Sequence, residues 1–274
     1  IFQYLSLDGV GGSLCVASMS VKLLNIDPNQ AWWLILALSV WIIYSTDHIF
    51  DSLRNKNKSS ILRHKFFFTN RRWLIPLVIA ITFINLILAT AYLKPKIVIS
   101  GIVLSLLVIC YFFVINMAKS YKHAYIPKEL IIAVIYVLGI FLAPVIWYGS
   151  IPPTEVLFII ICLIIIVFTE GIMISYYDYE LDMADGHISF TTKYGKENTI
   201  RFLRGLNVLI EISLIIAIIR TDSDILFASI LVLLTMNFFI GIIQLVPNNM
   251  VIKKFHRIIG EGIFYLPVIV YLFW

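Results

Sequence analysis

Residues 154–182 read TEVLFIIICLIIIVFTEGIMISYYDYELD, and this stretch decides the fold class of the chain. Its apolar part is long enough, at about 1.5 Å per helical residue, to cross the roughly 30 Å hydrocarbon core of a bilayer. It then ends in two aspartates, Asp178 and Asp182, which are four residues apart. The stretch therefore predicts a membrane-spanning helix with a pair of carboxylates at one membrane surface.

The rest of the chain has the same apolar character. Of 274 residues, 61% are hydrophobic and 14% are charged, which is typical of a polytopic membrane protein and excludes a soluble enzyme. We predict one all-α integral membrane domain over residues 1–274, built as a bundle of nine transmembrane helices. The predicted spans cover residues 3–24, 31–50, 73–93, 97–116, 127–148, 154–176, 203–219, 225–245 and 257–274.

The positive charges lie on one side of this predicted bundle. Only Lys22, Lys94, Lys96 and Arg220, of the 21 Lys and Arg residues, fall in the loops of the other side. The positive-inside rule then makes the basic side cytoplasmic, with cap loops near residues 52–72 and 179–201. We expect a multi-pass protein of a bacterial or archaeal cell membrane. Because the positive charges lie in loops at a membrane surface, the net charge of +5 indicates anionic lipid or anionic substrate as partners, and no nucleic acid.

Two aspartate pairs lie on that basic side. Asp47 and Asp51 end the second span as Asp178 and Asp182 end the sixth. An i, i+4 spacing puts both carboxylates of a pair on one helical face, about 6 Å apart along the axis. Magnesium prefers a few carboxylates, water and substrate phosphate oxygens to an all-protein cage. Solvated interfacial charge explains one such pair, but two facing each other predict a site for a diphosphate carried on Mg²⁺.

The residues around the second pair resemble a known family. The run Asp178-Tyr-Glu-Leu-Asp182-Met-Ala-Asp-Gly186, followed by Ser189 and Gly195, is similar to the D-x-x-x-D-x-x-x-G-x-x-T…G motif of the UbiA superfamily of intramembrane prenyltransferases. The first motif of that family resembles Asp47-His-Ile-Phe-Asp51, and residues 111–122 resemble its tyrosine and lysine segment. Isoleucines, Ile43 and Ile174, stand four residues before the two motifs, where the family usually has asparagine before the first.

The resemblance implies Mg²⁺-dependent ionisation of an isoprenyl diphosphate inside the membrane, with transfer of the prenyl chain to a lipophilic acceptor. Each role is then carried over to particular positions. The metal ligands would be Asp47, Asp51, Asp178, Asp182 and Asp185. The diphosphate-binding cations would be Arg54, Arg63, Lys119, Lys122 and Lys193. The pocket for the prenyl chain and its cation would contain Trp41, Ile43, Tyr44, Ile174, Tyr176 and Tyr177.

Other ionisable and small residues within the spans carry weaker signals. Glu170 lies two turns before Asp178 on the same face, and an ionisable residue in a span indicates function, so we assign it to catalysis. Interhelical hydrogen bonding is the ordinary role of the other acids in spans, which are Asp8, Glu129, Glu211 and Glu261. Close helix packing is the expected role of the first-span glycines, Gly9, Gly11 and Gly12.

Two other functions remain open from the sequence. A UbiA-type terpene cyclase would ionise the same diphosphate, after which an alkene of the chain itself attacks the cation. The isoleucines at positions 43 and 174 favour this alternative, because they leave fewer polar groups to orient an acceptor. A cation-coupled transporter would use the same acids for ion passage, but it leaves the spacing of Gly186 and Gly195 unexplained.

Overall fold

The computed structural model describes residues 4–55, 62–118, 128–186, 188–245 and 250–274, and within these ranges it contains helices and turns but no β-strand. The helices are α1 (Leu7–Leu23), α2 (Gln30–Asn55), α3 (Leu62–Tyr92), α4 (Pro95–Ala118), α5 (Lys128–Tyr148), α6 (Thr154–Tyr177), α7 (Tyr179–Asp185), α8 (Phe190–Tyr194), α9 (Lys196–Arg220), α10 (Asp224–Leu245), α11 (Met250–Gly262) and α12 (Val268–Phe273). A 3₁₀ turn, Ile263–Tyr265, joins α11 to α12.

Seven segments of the described chain are long and apolar enough to cross a membrane. They lie in α2, α3, α5, α6, α9, α10 and in the segment Phe255–Phe273, which includes α12. The predicted first and fourth spans correspond to α1, which has 17 residues, and to α4, whose apolar part Pro95–Tyr111 is shorter than the others. The all-α membrane class is confirmed, whereas the count of nine spans stays a prediction.

The helix ends differ from the predicted loops. Most of the predicted cap loop near 52–72 is helical, because α2 continues to Asn55 and α3 already begins at Leu62. The predicted loop near 179–201 contains α7, α8 and the first turn of α9. An apolar run marks where a helix crosses lipid, but backbone hydrogen bonds extend the helix into polar residues beyond the hydrocarbon.

The glycines of α1 receive aromatic rings from neighbouring helices. A Cβ atom at Gly9 would lie 2.9 Å from the ring of Tyr44 in α2, so only glycine allows this approach. The predicted packing role of these glycines is therefore confirmed. The other two contacts are Gly11 against Tyr265 and Gly12 against Phe264.

An intramembrane acid joins α9 to α10. Glu211 Oε2 accepts a hydrogen bond of 2.6 Å from Asn237 Nδ2, and Asn207 Nδ2 donates to the backbone carbonyl of Asn237 at 2.9 Å. The interhelical role predicted for Glu211 is confirmed. A polar residue inside the membrane is stabilised by such bonds because lipid offers it no partner.

Candidate functional site

An apolar cavity of about 380 Å³ lies between α2, α3, α4 and α5. Along α2 its wall runs from Trp32 to Asp47, which is about 22 Å at 1.5 Å per residue. Leucine, isoleucine and valine side chains make up most of the wall. Asp47 of the first predicted motif and Tyr44, three residues before it, lie at one end of this wall, so the cavity is long and polar at that end.

The first aspartate pair lies at that polar end. Asp47 lines the cavity together with Tyr111 of α4, and Asp47, Glu129 and Asp51 all act electrostatically on the Tyr111 hydroxyl. The neighbouring His48 faces away, towards α1, where its Nε2 lies 3.0 Å from Ser6 Oγ. The helical face that carries Asp47 and Asp51 is therefore the face that borders the cavity.

The cavity is partly open, and its wall includes exposed side chains of α3 and α4. Leu86 of α3 and Ile102 of α4 both line it, yet these residues are 45% and 46% exposed. In a membrane-spanning bundle such apolar exposed side chains face lipid. A hydrocarbon chain in the cavity would thus lie in contact with the acyl chains of the bilayer.

The second aspartate pair is shaped by a helix break. Helix α6 ends at Tyr177, Asp178 leaves helical geometry with ψ near 3°, and α7 begins at the next residue. Gly186 ends α7 with a positive φ of 66°, a conformation that glycine adopts without strain. Ser189 then caps α8, and its side chain favours the charged form of Asp182. The Asp–Gly–Ser spacing of the motif therefore folds the chain back onto its own second aspartate.

Both oxygens of Asp178 are held by α11. His256 Nε2 donates to Oδ1 at 3.1 Å, and Arg257 Nη2 donates to Oδ2. Burial by itself would raise the pKa of Asp178, but the hydrogen bond from His256 and the charge of Arg257 outweigh it, so its pKa lies below the ordinary aspartate value. Asp178 is thus an anion that accepts one hydrogen bond from His256 and one from the positively charged Arg257.

Asp182 lies in a different environment from Asp178. Burial raises the pKa of Asp182, although the hydrogen bond from Ser189 and the charge of Lys128 oppose that shift. The next residue of α5, Glu129, accepts a hydrogen bond of 2.9 Å at Oε1 from the backbone N–H of Phe190 in α8. The interhelical role predicted for Glu129 is therefore confirmed. The first turn of α5 thus acts on Asp182 through Lys128, and on Tyr111 at the polar end of the cavity through Glu129.

The carboxylates do not form an all-protein metal cage. Within the described ranges, no group of three or more His, Cys, Asp or Glu side chains surrounds a common metal position. The donor chemistry nevertheless fits Mg²⁺, which takes carboxylate oxygens and completes its shell with water and phosphate oxygens. A Mg²⁺ at either pair would therefore rely on substrate oxygens for much of its coordination.

Glu170 lies behind the cavity. It is 8% exposed, and its Oε1 has no hydrogen-bond partner among the described residues. A Cβ atom at Gly260 of α11 would approach that oxygen to 2.8 Å, so α6 and α11 are in close contact there. Glu170 also acts electrostatically on Tyr136, a cavity-lining residue of α5. Its link to the cavity is thus indirect, through Tyr136.

Among the pocket residues predicted from the sequence, Ile43 and Tyr44 line the cavity. Trp41 instead packs in a buried cluster around Phe67, on the side of α2 that faces α3. The remaining three lie near the end of α6 and are not part of the cavity wall: Ile174, Tyr176 near Lys196, and Tyr177, whose hydroxyl donates to the carbonyl of Ile243 at 2.9 Å.

The predicted cations are only partly described. Lys119 and Lys122 lie outside the described residues. For Arg54 in α2 and Arg63 in α3, the structure describes the backbone alone. Lys193 is an exposed residue of α8. Asp185, the predicted additional ligand, is the half-buried last residue of α7.

Two partners of Asp178 were missed in the sequence. Neither Arg257 nor His256 is among the site residues predicted from the sequence. A helical pattern was available, since His256, Arg257, Gly260 and Glu261 share one face of α11. That face turns towards α6, which only the tertiary structure reveals.

No protein-family model matches the chain, and no curated protein sequence matches it. Its structure is similar to that of a UbiA homolog from Archaeoglobus fulgidus bound to DMAPP and Mg²⁺, with a TM-score of 0.65 and 16% identity, covering 99% of each chain. The chain has the UbiA fold. A structure of a UbiA homolog from the same organism bound to GPP and Mg²⁺ is also similar, with a TM-score of 0.63 and 15% identity over 97% of this chain and 98% of that chain. The UbiA fold therefore extends over nearly the whole sequence, and both aspartate pairs lie within it.

Proposed function

We propose that this protein is a UbiA-superfamily enzyme that ionises an isoprenyl diphosphate inside the membrane, with Mg²⁺, and transfers the prenyl chain to a lipophilic acceptor. The observation that carries the proposal is the long apolar cavity that ends at Asp47 and Tyr111. A prenyl diphosphate has the same division into an apolar chain and an anionic head. The UbiA homologs of similar fold are bound to DMAPP or GPP together with Mg²⁺, which supports this substrate class.

Different residues of this protein would bind the prenyl chain and the metal ions. The cavity wall would bind the prenyl chain and exclude water from it, as the allylic cation requires. Asp47 and Asp51 would hold one Mg²⁺ and Asp178 and Asp182 a second, with Asp185 as a further candidate ligand. The metal would neutralise charge on the departing diphosphate. Glu170, the acid assigned to catalysis, would act on the cavity electrostatically, through Tyr136.

Terpene cyclisation is the second candidate, and the wall beside the first aspartate pair favours it. Ile43 lines the cavity one turn from Asp47, where a polar group would be needed to orient an acceptor. Deeper in the cavity, Asn85 Nδ2 donates to Ser39 Oγ at 2.8 Å, whereas Asn85 Oδ1 has no hydrogen-bond partner among the described residues. An apolar wall favours folding of the prenyl chain on itself, which cyclisation requires.

Product analysis separates the two candidates. Purified protein in lipid is incubated with Mg²⁺ and prenyl diphosphates of increasing length, first without an acceptor and then with phenolic, quinone-precursor and lipid-alcohol acceptors. We expect diphosphate release that depends on an acceptor, with a prenylated product. A cyclic hydrocarbon or alcohol formed without any acceptor selects the cyclase. No release of diphosphate from any substrate, in either condition, contradicts the proposed function.

Replacing Ile43 by asparagine tests the apolar wall. We expect Ile43→Asn to keep Mg²⁺-dependent ionisation, because Ile43 lies beside the carboxylates and is not one of them. The amide should bring water to the cation, so the fraction of water-quenched prenyl alcohol should rise. Chromatography of the products measures this fraction, and Ile43→Leu serves as the apolar control. An unchanged product distribution in Ile43→Asn would remove Ile43 from the site.

The proposed cytoplasmic orientation is tested by cysteine labelling. In a variant whose native cysteines are replaced, Lys193→Cys in α8 should react with a membrane-impermeant maleimide only from the cytoplasmic side. Asp222→Cys, in the exposed connection between α9 and α10, should react only from the opposite side. The reverse pattern would invert the topology and refute the assignment of both motifs to the cytoplasm.

A further inference from the structure

Arg257 joins the last helical segment to the second aspartate pair. It lies on α11, 79 residues after Asp178, and donates from Nη2 to Asp178 Oδ2. The adjacent His256 is buried, donates to the other oxygen of Asp178, and stacks on Tyr177 with ring centroids 5.1 Å apart. This packing fixes the backbone of α11 beside Asp178, so the position of the guanidinium is determined by the fold.

The guanidinium of Arg257 has more N–H donors than it has hydrogen bonds to described residues. Arginine carries five N–H groups in a planar fork, and among the described residues Arg257 makes one hydrogen bond, to Asp178. Its side chain is 34% exposed, whereas that of Asp178 is 7% exposed. The side chain of Arg257 is therefore less enclosed than the carboxylate that it binds.

Several acids surround this one cation. Besides Asp178, both Glu261 and Asp182 act electrostatically on Arg257, and Arg257 in turn acts on Glu170. A guanidinium that must only neutralise Asp178 would be satisfied by a bidentate bond with both oxygens. Here His256 takes one of those oxygens, which leaves the second arm of the fork for another anion.

We propose that Arg257 binds the diphosphate of the substrate directly, as a bridge between Asp178 and the phosphate oxygens. This inference rests on the proposed function and names a residue outside the five cations that the sequence indicated. The fork geometry of arginine suits phosphate oxygens, and its charge is permanent. Arg257 would thus bind the substrate head group from the side of the last helix.

The contact between Arg257 and Asp178 should affect the binding of a metal ion in the opposite direction to the binding of diphosphate. Arg257 occupies Asp178 Oδ2 and repels a divalent cation approaching that carboxylate. Removal of its charge should weaken binding of the diphosphate but should not weaken binding of the metal alone. A residue that merely holds α11 in place would change both affinities in the same direction.

Two binding measurements on Arg257→Gln test this inference. Mn²⁺ affinity is measured by electron paramagnetic resonance in the absence of diphosphate, and inorganic diphosphate affinity is measured by calorimetry with saturating Mn²⁺. We expect diphosphate to bind about 10- to 100-fold more weakly, as for the loss of a charged hydrogen bond, while Mn²⁺ binds equally well or more tightly. Arg257→Lys should recover part of the diphosphate affinity, because it restores the charge without the fork.

The matched control is Arg201→Gln. Arg201 lies on α9, its side chain is 72% exposed, and it pairs with Glu197 one turn away. This variant should bind both ligands as the wild type does, and thermal unfolding in detergent should show that all three variants fold. Wild-type diphosphate affinity in Arg257→Gln, or an equal loss of both affinities, overturns the role of Arg257 alone. A wild-type protein that binds neither Mn²⁺ nor diphosphate overturns the proposed function as well.

Discussion

Replacing Asp47 by asparagine is expected to lower the rate of diphosphate release by about 100- to 1000-fold, as for the loss of a preorganised electrostatic contact. Asp47 lines the polar end of the cavity, and asparagine keeps its shape while removing the charge that is proposed to bind the metal. The rate is measured at saturating Mg²⁺ by phosphate detection after pyrophosphatase digestion. The effect should fall on turnover, because the apolar wall proposed to bind the prenyl chain is unchanged.

The control for this change is Asp222→Asn. Asp222 is an exposed carboxylate in the connection between α9 and α10, away from both motifs in sequence. Its replacement should leave the rate unchanged, so that a general effect of lost negative charge is excluded. Release of diphosphate at the wild-type rate by folded Asp47→Asn protein would remove the first aspartate pair from the site.

Filling the cavity at Gly101 is expected to abolish turnover of long prenyl diphosphates selectively. A Cβ atom at Gly101 meets no atom within 4 Å, and the residue lines the cavity, so the ring of Gly101→Phe would extend into the open space. Gly101 lies ten residues before Tyr111 on α4, or about 15 Å deeper along the helix axis. A five-carbon chain does not reach this depth, whereas a twenty-carbon chain must pass it.

We therefore expect kcat/KM for a twenty-carbon diphosphate to fall by about 10- to 100-fold, the scale of overpacking energies, while that for DMAPP is nearly unchanged. Gly205→Phe is the matched control, because Gly205 is also a helical glycine with no atom within 4 Å of a Cβ, but it lies on α9 outside the cavity. Equal losses for short and long substrates, or no loss for either, would contradict the placement of the prenyl chain in this cavity.

Local signals made part of this architecture predictable. The apolar runs located the helices because crossing a bilayer requires about 20 apolar residues, whatever the tertiary contacts are. The i, i+4 spacing of Asp47 and Asp51 correctly gave them a common face, since helix geometry alone determines it. Tyr44 was assigned to the pocket as an aromatic residue beside a motif, and Ile43 as the residue at the asparagine position of the family; the cavity wall includes both.

Contacts between distant parts of the chain were not predictable in this way. The bond between Arg257 and Asp178 depends on how α11 packs against α6, and the spacing within either helix does not encode that packing. Trp41 was assigned to the pocket because it is aromatic and close to a motif, but its own face of α2 turns towards α3. The role of an aromatic residue in a span therefore depends on helix rotation, which composition leaves undetermined.

Leu86 of α3 and Ile102 of α4 are exposed residues of the cavity wall. For the proposed substrate, their position makes the concentration in the membrane, and not that in the buffer, the relevant one. A prenyl diphosphate that enters a cavity bordered by lipid arrives by lateral diffusion within the bilayer. The reaction rate should then follow the mole fraction of substrate in the membrane, and dilution with inert phospholipid should slow the reaction at constant total substrate. Apparent KM values expressed per volume of buffer would differ between detergent micelles and vesicles, although the protein and its chemistry are the same.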